Sequence, residues 1–287
     1  MATVNADVTK THDCKPTLTD QEVIDFCKNG YIMLKQIVPG QINRQTTAYL
    51  DEHPEGEPQG ILNEEWFVDA VIENPGVSGV VRSLLGADFK LPVIMSNHRI
   101  SCPRQWPCGW HRDVGAIDSP RLETLQVFYY PQDTPCELGP TQLIPGTHML
   151  HAKRRFMSHY GAVRSAVSSE ASAGSIFITH YGIWHRATTA TGTGIRNLLK
   201  YNYWRTASPV RDWITETEPD FTQMDFSPFG GALDKHFAVQ VARQFMWLCG
   251  YGEDFDFKGG QSWPMNAGAG CQSAEGLPPQ LARMAGK

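Results

Sequence analysis

The stretch Gly109-Trp110-His111-Arg112-Asp113-Val114-Gly115 sets a histidine and an aspartate one residue apart. On a strand, residues i and i+2 face the same way, so an imidazole nitrogen and a carboxylate oxygen can reach adjacent positions of one metal ion. The motif alone says little, because ten histidines and thirty acidic residues in 287 positions give roughly one His-x-Asp/Glu by chance. A second copy exists, His53-Pro54-Glu55. Context separates the two. His53 sits in a loop with no predicted element on either side and reads as solvated charge. His111 lies just ahead of a strand-rich region, close after Trp106 and Trp110, whose rings could keep water out of a site.

Non-haem iron(II) takes two histidines and one carboxylate on one face and keeps the opposite face open. The second histidine must come from elsewhere, and His180 and His185 are the candidates. Arg196 follows His185 by eleven residues, at the start of another strand, whereas Thr191 stands eleven residues beyond His180. A guanidinium presents a rigid, permanently charged fork to a carboxylate, which a 2-oxoglutarate cosubstrate would require. His185 is therefore the better ligand candidate, and His180 reads as a strand-end or pocket-wall residue.

These residues need elements to hold them. Thr19 and Glu22 form a capping box, Val23, Phe26 and Cys27 share a helical face, and Asn29-Gly30 is a stop. A strand is predicted from Tyr31 to Val38, so that 17–38 forms a helix–strand unit. Residues 1 to about 16 are polar and read as frayed. Segment 39–62 contains the loop DEHPEGEPQG, and Val77–Leu85 reads as a helix between Asn74-Pro75-Gly76 and Gly86. From Phe89 the pattern changes to short apolar or alternating runs, FKLPVIMSNHRI, TLQVFYY, GPTQLIP, GSIFITH and NLLKYNYW, separated by turn residues. That is the signature of a β sandwich or barrel over about 89–206. A C-terminal helix is predicted at about 232–249, followed from Lys258 by a Gly-, Ser- and Pro-rich extended tail. No repeat or linker divides the chain, so 1–287 reads as one domain, mainly β with flanking helices.

The bulk numbers exclude several classes. A hydrophobic content of 41% supports a large core. The net charge of -5 and the lack of a long basic stretch argue against nucleic acid. No apolar run reaches membrane-spanning length. Seven cysteines without a C-x-x-C pair fit reduced thiols better than a disulfide scaffold or a zinc site. With no apolar N-terminal segment and no S-K-L-type ending, the expected location is the cytoplasm.

In order and spacing, four pieces resemble the phytanoyl-CoA dioxygenase family of iron(II)/2-oxoglutarate oxygenases: the opening TLTDQEVIDFCKNGYIML, then WHRD, ELGPTQLIPGTH, and AGSIFITHYGIWHRA with the Arg196 that follows. The resemblance runs to Tyr203 and implies a double-stranded β-helix, a jelly roll with helices outside. It implies that His111, Asp113 and His185 bind Fe(II), that Arg196 binds 2-oxoglutarate, and that Thr141 sits near the cosubstrate. His148, in the Pro-Gly-Thr-His turn, is expected to order that turn. The chain departs from the family at Ser175, where relatives often carry Asp, and at Cys108, where some carry a cosubstrate-contacting Gln. Gln105 and Asn97 are candidates to replace that Gln.

The implied activity is oxidation of a small organic molecule with O2, releasing succinate and CO2. Hydroxylation is expected, because iron halogenases of this type replace the carboxylate ligand with a small residue and this chain keeps Asp113. Desaturation, epoxidation and ring formation are alternatives at the same site. A small-molecule tailoring role in secondary metabolism fits best. Two other classes stand beside it: a cosubstrate-free cupin metalloenzyme, and a non-catalytic jelly-roll binding protein. Trp106, Trp110, Tyr129, Tyr181, Trp184 and Trp204 read chiefly as core packing, with an apolar pocket wall as the functional reading.

Overall fold

The computed structural model describes residues 10–105, 107–115, 119–150, 161–215 and 232–251. The expectations for residues 1–9, Trp106, Cys271 and the tail from Lys258 lie outside these residues.

Helix α1 (Asp20–Asn29) starts at the expected capping box: Thr19 Oγ1 accepts from the Glu22 amide at 3.3 Å and Glu22 Oε2 from the Thr19 amide at 2.9 Å. It buries Val23, Phe26 and Cys27 on one face, and stops at Gly30, whose φ of 77° is the left-handed conformation that glycine adopts without a Cβ penalty. Strand β2 (Tyr31–Leu34) follows at once and is shorter than the predicted Tyr31–Val38.

Where the sequence predicts only a loop between 39 and 62, Gly40–Glu52 forms helix α2. Its buried residues are Asn43, Thr46 and Leu50, a helical spacing in which two of three members are polar, so apolar periodicity misses it. Helix α3 (Pro75–Leu85) begins ahead of the predicted Val77: Asn74 caps the Gly76 and Val77 amides, and proline occupies the first turn. Helix α4 spans Ala232–Leu248.

The strands are β1 (Thr11–His12), β3 (Phe89–Lys90), β4 (Ser96–Asn97), β5 (Ile100–Arg104), β6 (Thr124–Tyr130), β7 (Thr141–Leu143), β8 (Val167–Ser168), β9 (Ser175–His180), β10 (His185–Ala187), β11 (Ala190–Arg196) and β12 (Leu199–Trp204). Thr11 and His12 are thus not frayed, because they pair with Lys90 and Phe89. The large sheet runs β1-β3-β12-β6-β9-β2, with β4 also on β12. Two smaller sheets, β10-β7-β8 and β11-β5, complete the strand-built body of a jelly roll.

Alternation along the large sheet divides its two faces. Leu125, Val127 and Tyr129 of β6, Ile176 and Ile178 of β9, and Leu199, Tyr201 and Tyr203 of β12 join the core shared with the helices. Phe128, Tyr130 and Phe177 pack on the opposite face with Leu143 of the smaller sheet. Along β12 that inner face also takes Lys200, between Leu199 and Tyr201. No helix among the described residues is long and apolar enough to cross a membrane.

Candidate metal centre

His111 and His185 meet across a two-residue antiparallel bridge: the His111 amide donates to the His185 carbonyl at 3.0 Å and the His185 amide to the His111 carbonyl at 2.8 Å. Strand β10 holds His185 against Leu143 of β7 on its other side. One ligand atom each from His111, Asp113 and His185 lies within 4.8 Å of the others. Asp113 Oδ1 is 3.8 Å from His111 Nε2, and Asp113 Oδ2 is 3.7 Å from His185 Nε2.

The imidazoles are oriented by their other nitrogen. His111 Nδ1 lies 2.9 Å from the Gly109 carbonyl, and His185 Nδ1 lies 3.1 Å from the Ile183 carbonyl. A carbonyl only accepts, so each Nδ1 carries the hydrogen and each Nε2 keeps its lone pair for the centre. His185 is buried, and desolvation, reinforced by the nearby Lys200 charge, pushes its imidazole down to about 3. It is therefore neutral and able to donate its lone pair at neutral pH. Burial alone would raise the Asp113 carboxyl, but the charges of Lys200 and His185 and the hydrogen bonds from Lys200 and Gln126 hold it well below the usual carboxylate range.

Two further residues reach Asp113. Gln126 Nε2 donates to Oδ2 at 2.7 Å, and Lys200 Nζ contacts the same oxygen. Both come from the inner face of the large sheet, where Lys200 pairs with Phe128, two residues after Gln126. Neither stands out by spacing in the sequence. The available signal is a polar residue at an inward position of an apolar strand, Gln126 in TLQVFYY and Lys200 in NLLKYNYW.

Arg196 ends β11 and is 1% exposed, and its Nε and Nη1 are buried without a hydrogen-bond partner. Two orphaned guanidinium nitrogens are costly unless a ligand completes them, and a carboxylate does so with two parallel bonds. Arg196 stands in the same electrostatic neighbourhood as Asp113 and Lys200, because all three act on His98: burial and the Lys200 and Arg196 charges push it down to about 4, and Asp113 opposes them. Tyr130 links the guanidinium to the Thr141 region: it acts on Arg196, contacts Ser169 Oγ, and lies 3.5 Å from the Thr141 amide nitrogen. Thr141 itself is buried in β7 opposite Ala187.

The remaining candidates sort by their contacts. His53 stacks on Tyr49 at 4.2 Å and contacts its carbonyl at the end of α2, so the second His-x-Glu is a helix terminus. His180 closes β9 and lines a cavity of about 430 Å³ with Arg112, Val114, Arg121 and Tyr181, none of them one of the three ligands. His148 holds its turn to α1, with Nε2 3.0 Å from the Cys27 carbonyl. Asn97 is committed to Asn197 Oδ1 and the Leu198 amide, Gln105 is exposed, and Cys108 Sγ lies 3.2 Å from Arg104 Nη2. Trp110 and Trp184 are buried together with Ile144, under the guanidiniums of Arg186 and Arg112. Tyr129 faces the helices and donates to Asn43 Oδ1 at 2.8 Å. No disulfide joins the six cysteines among the described residues.

A family model described as phytanoyl-CoA dioxygenase (PhyH) matches residues 43–198, just over half of the chain. No curated protein sequence matches it. Among solved structures, HygX from Streptomyces hygroscopicus with nickel and 2-oxoglutarate bound is similar at 12% identity, a TM-score of 0.55, and coverage of 66% of this chain and 88% of that one. SnoK, a non-haem α-ketoglutarate-dependent carbocyclase from nogalamycin biosynthesis, is similar at 17% identity, a TM-score of 0.52, and coverage of 74% and 94%. SnoN, an epimerase from the same biosynthesis, is similar at 14% identity, a TM-score of 0.52, and coverage of 65% and 83%. At these identities the likeness is one of fold, and that fold is the jelly roll.

Proposed function

The chain belongs to the phytanoyl-CoA dioxygenase family and is an iron(II)- and 2-oxoglutarate-dependent oxygenase; from that premise we propose that His111, Asp113 and His185 hold the iron and that Arg196 anchors the cosubstrate. One observation carries this reading: three ligand atoms converge within 4.8 Å, in the electrostatic neighbourhood of a buried guanidinium with two nitrogens unpartnered. A cosubstrate-free cupin would leave those nitrogens unexplained, and a binding protein would not need both Nε2 lone pairs turned inward.

Iron(II) with 2-oxoglutarate and O2 supplies the oxidising chemistry, in which the cosubstrate is decarboxylated to succinate and CO2. The protein's part is positional. Gly109 and Ile183 carbonyls fix the imidazole rings. Gln126 and Lys200 hold Asp113 Oδ2. Arg196 orients the far carboxylate by its fork. Thr141 lies on β7, which pairs with the His185 strand β10, and we assign it to the wall of the cosubstrate pocket.

We further propose that the substrate is a small organic molecule, oxidised at a C–H bond in secondary-metabolite tailoring, with hydroxylation as the reaction. The intact Asp113 supports hydroxylation over halogenation, since the carboxylate fills the position a halide would take. The tailoring context is supported by the fold neighbours named for nogalamycin biosynthesis. The test is succinate release from 2-oxoglutarate under air with added iron(II). Wild-type protein is expected to form succinate and Asp113→Ala none. Undiminished succinate from Asp113→Ala would remove the triad assignment.

A further inference from the structure

Lys200 lies two residues beyond the stretch matched by the family model. Its side chain is only 10% exposed, and its Nζ sits over the Phe128 ring, 5.3 Å from the centroid. It contacts Asp113 Oδ2 and lies 3.2 Å from His185 Nε2. An ammonium has hydrogens to donate and nothing to accept with, and His185 Nε2 has one lone pair, because its hydrogen is on Nδ1. The lone pair can take a hydrogen from Lys200 or a bond to a metal ion, never both. Asp113 is different. Its second oxygen, Oδ1, is free of both Lys200 and Gln126 and points to the His111 side.

We propose that Lys200 is a metal-positioning residue that stands in for the ion in the metal-free enzyme. Its charge offsets Asp113 and keeps Asp113 and His185 facing one another while no metal is bound. On metal binding the ammonium would give up His185 Nε2 and stay with Gln126 on Asp113 Oδ2, which would leave Oδ1 available as a ligand. Two consequences follow that a merely structural lysine would not produce. Asp113 and His185 are held together by the residue that competes with the ion for them. Removing that residue loosens the metal-free protein and tightens metal binding at once.

The inference rests on the triad being the metal site, and the experiment separates the two. Full-length protein stripped with chelator is titrated with nickel(II) as wild type, Lys200→Met and Lys200→Gln, and each metal-free form is melted thermally. Wild type is expected to bind one nickel ion. Both variants are expected to bind it about tenfold or more tighter, since a buried like charge a few ångström from the ion is gone. Their metal-free forms are expected to melt lower than wild type, because Asp113 loses its charged partner. Equal or weaker nickel binding by whichever variant folds would overturn the role of Lys200 while leaving the triad intact. Failure of wild type to bind nickel would overturn the triad itself, and Lys200 with it.

Discussion

Asp113 is the residue on which the site turns, because both imidazoles and the Lys200 ammonium lie close to its carboxylate. Its neighbours show how far residue types and spacing reach. The convergence of His111, Asp113 and His185 was legible, because a metal would impose ligand types and order that survive in one dimension. Lys200 and Gln126 were not, because they reach Asp113 through sheet register, which brings residues 13 and 87 positions away to one oxygen. The His111–His185 backbone bridge is equally invisible in sequence. Arg196 makes a separate prediction at this scale. Arg196→Met leaves two fewer donors for the cosubstrate, so the KM for 2-oxoglutarate should rise at least about tenfold, while nickel affinity in the absence of cosubstrate stays near wild type. Steady-state succinate kinetics and nickel titration check the two halves.

At the scale of elements, local signals with a mechanism did well. The capping box, Asn74 with its proline, and the glycine stops each mark a boundary found in the structure. Signals resting on apolar period alone did worse. Helix α2 hides two polar residues on its buried face, and β2 is cut short where the chain turns at Gln36, a non-glycine residue with a φ of 51°. Gly30 shows how one position serves two elements. It ends α1 in the left-handed conformation, and a Cβ there would collide with the His148 ring. Gly30→Ala should therefore cost at least about 1 kcal/mol of stability, and more where the His148 turn cannot yield. The denaturant midpoint checks this, and an unchanged midpoint would mean that the turn gives way freely.

Across the described residues, the helices sit on one face of the large sheet and the proposed metal ligands gather toward the other. A β sandwich or barrel was readable from the count and spacing of short strands, and the jelly roll from the family resemblance, but strand order was not, since β12 pairs with β3, β4 and β6, all far earlier in the chain. The joint between α1 and the strands carries a pH dependence. His148 is buried, and desolvation pushes its imidazole down to about 4, while its neighbour His180, at 4.7 Å between rings, is held well below its ordinary value for the same reason. In the unfolded chain both would titrate near ~6.5. The unfolded state then binds protons that the folded state refuses, so stability is full above ~6.5 and falls as the pH drops toward 4. For His148 alone the loss over that window is roughly 3 kcal/mol. Melting temperature against pH should show the decline, and His148→Gln should flatten part of it.

The central claim is that one site binds iron(II) and 2-oxoglutarate together. Anaerobic addition of both to the metal-free protein tests it most directly, through the weak visible charge-transfer absorption of a 2-oxoglutarate chelated to iron(II). The account predicts that the band appears with wild type, needs both additions, and is lost in Asp113→Ala. Absence of the band in wild type, or its persistence unchanged in Asp113→Ala, would contradict it.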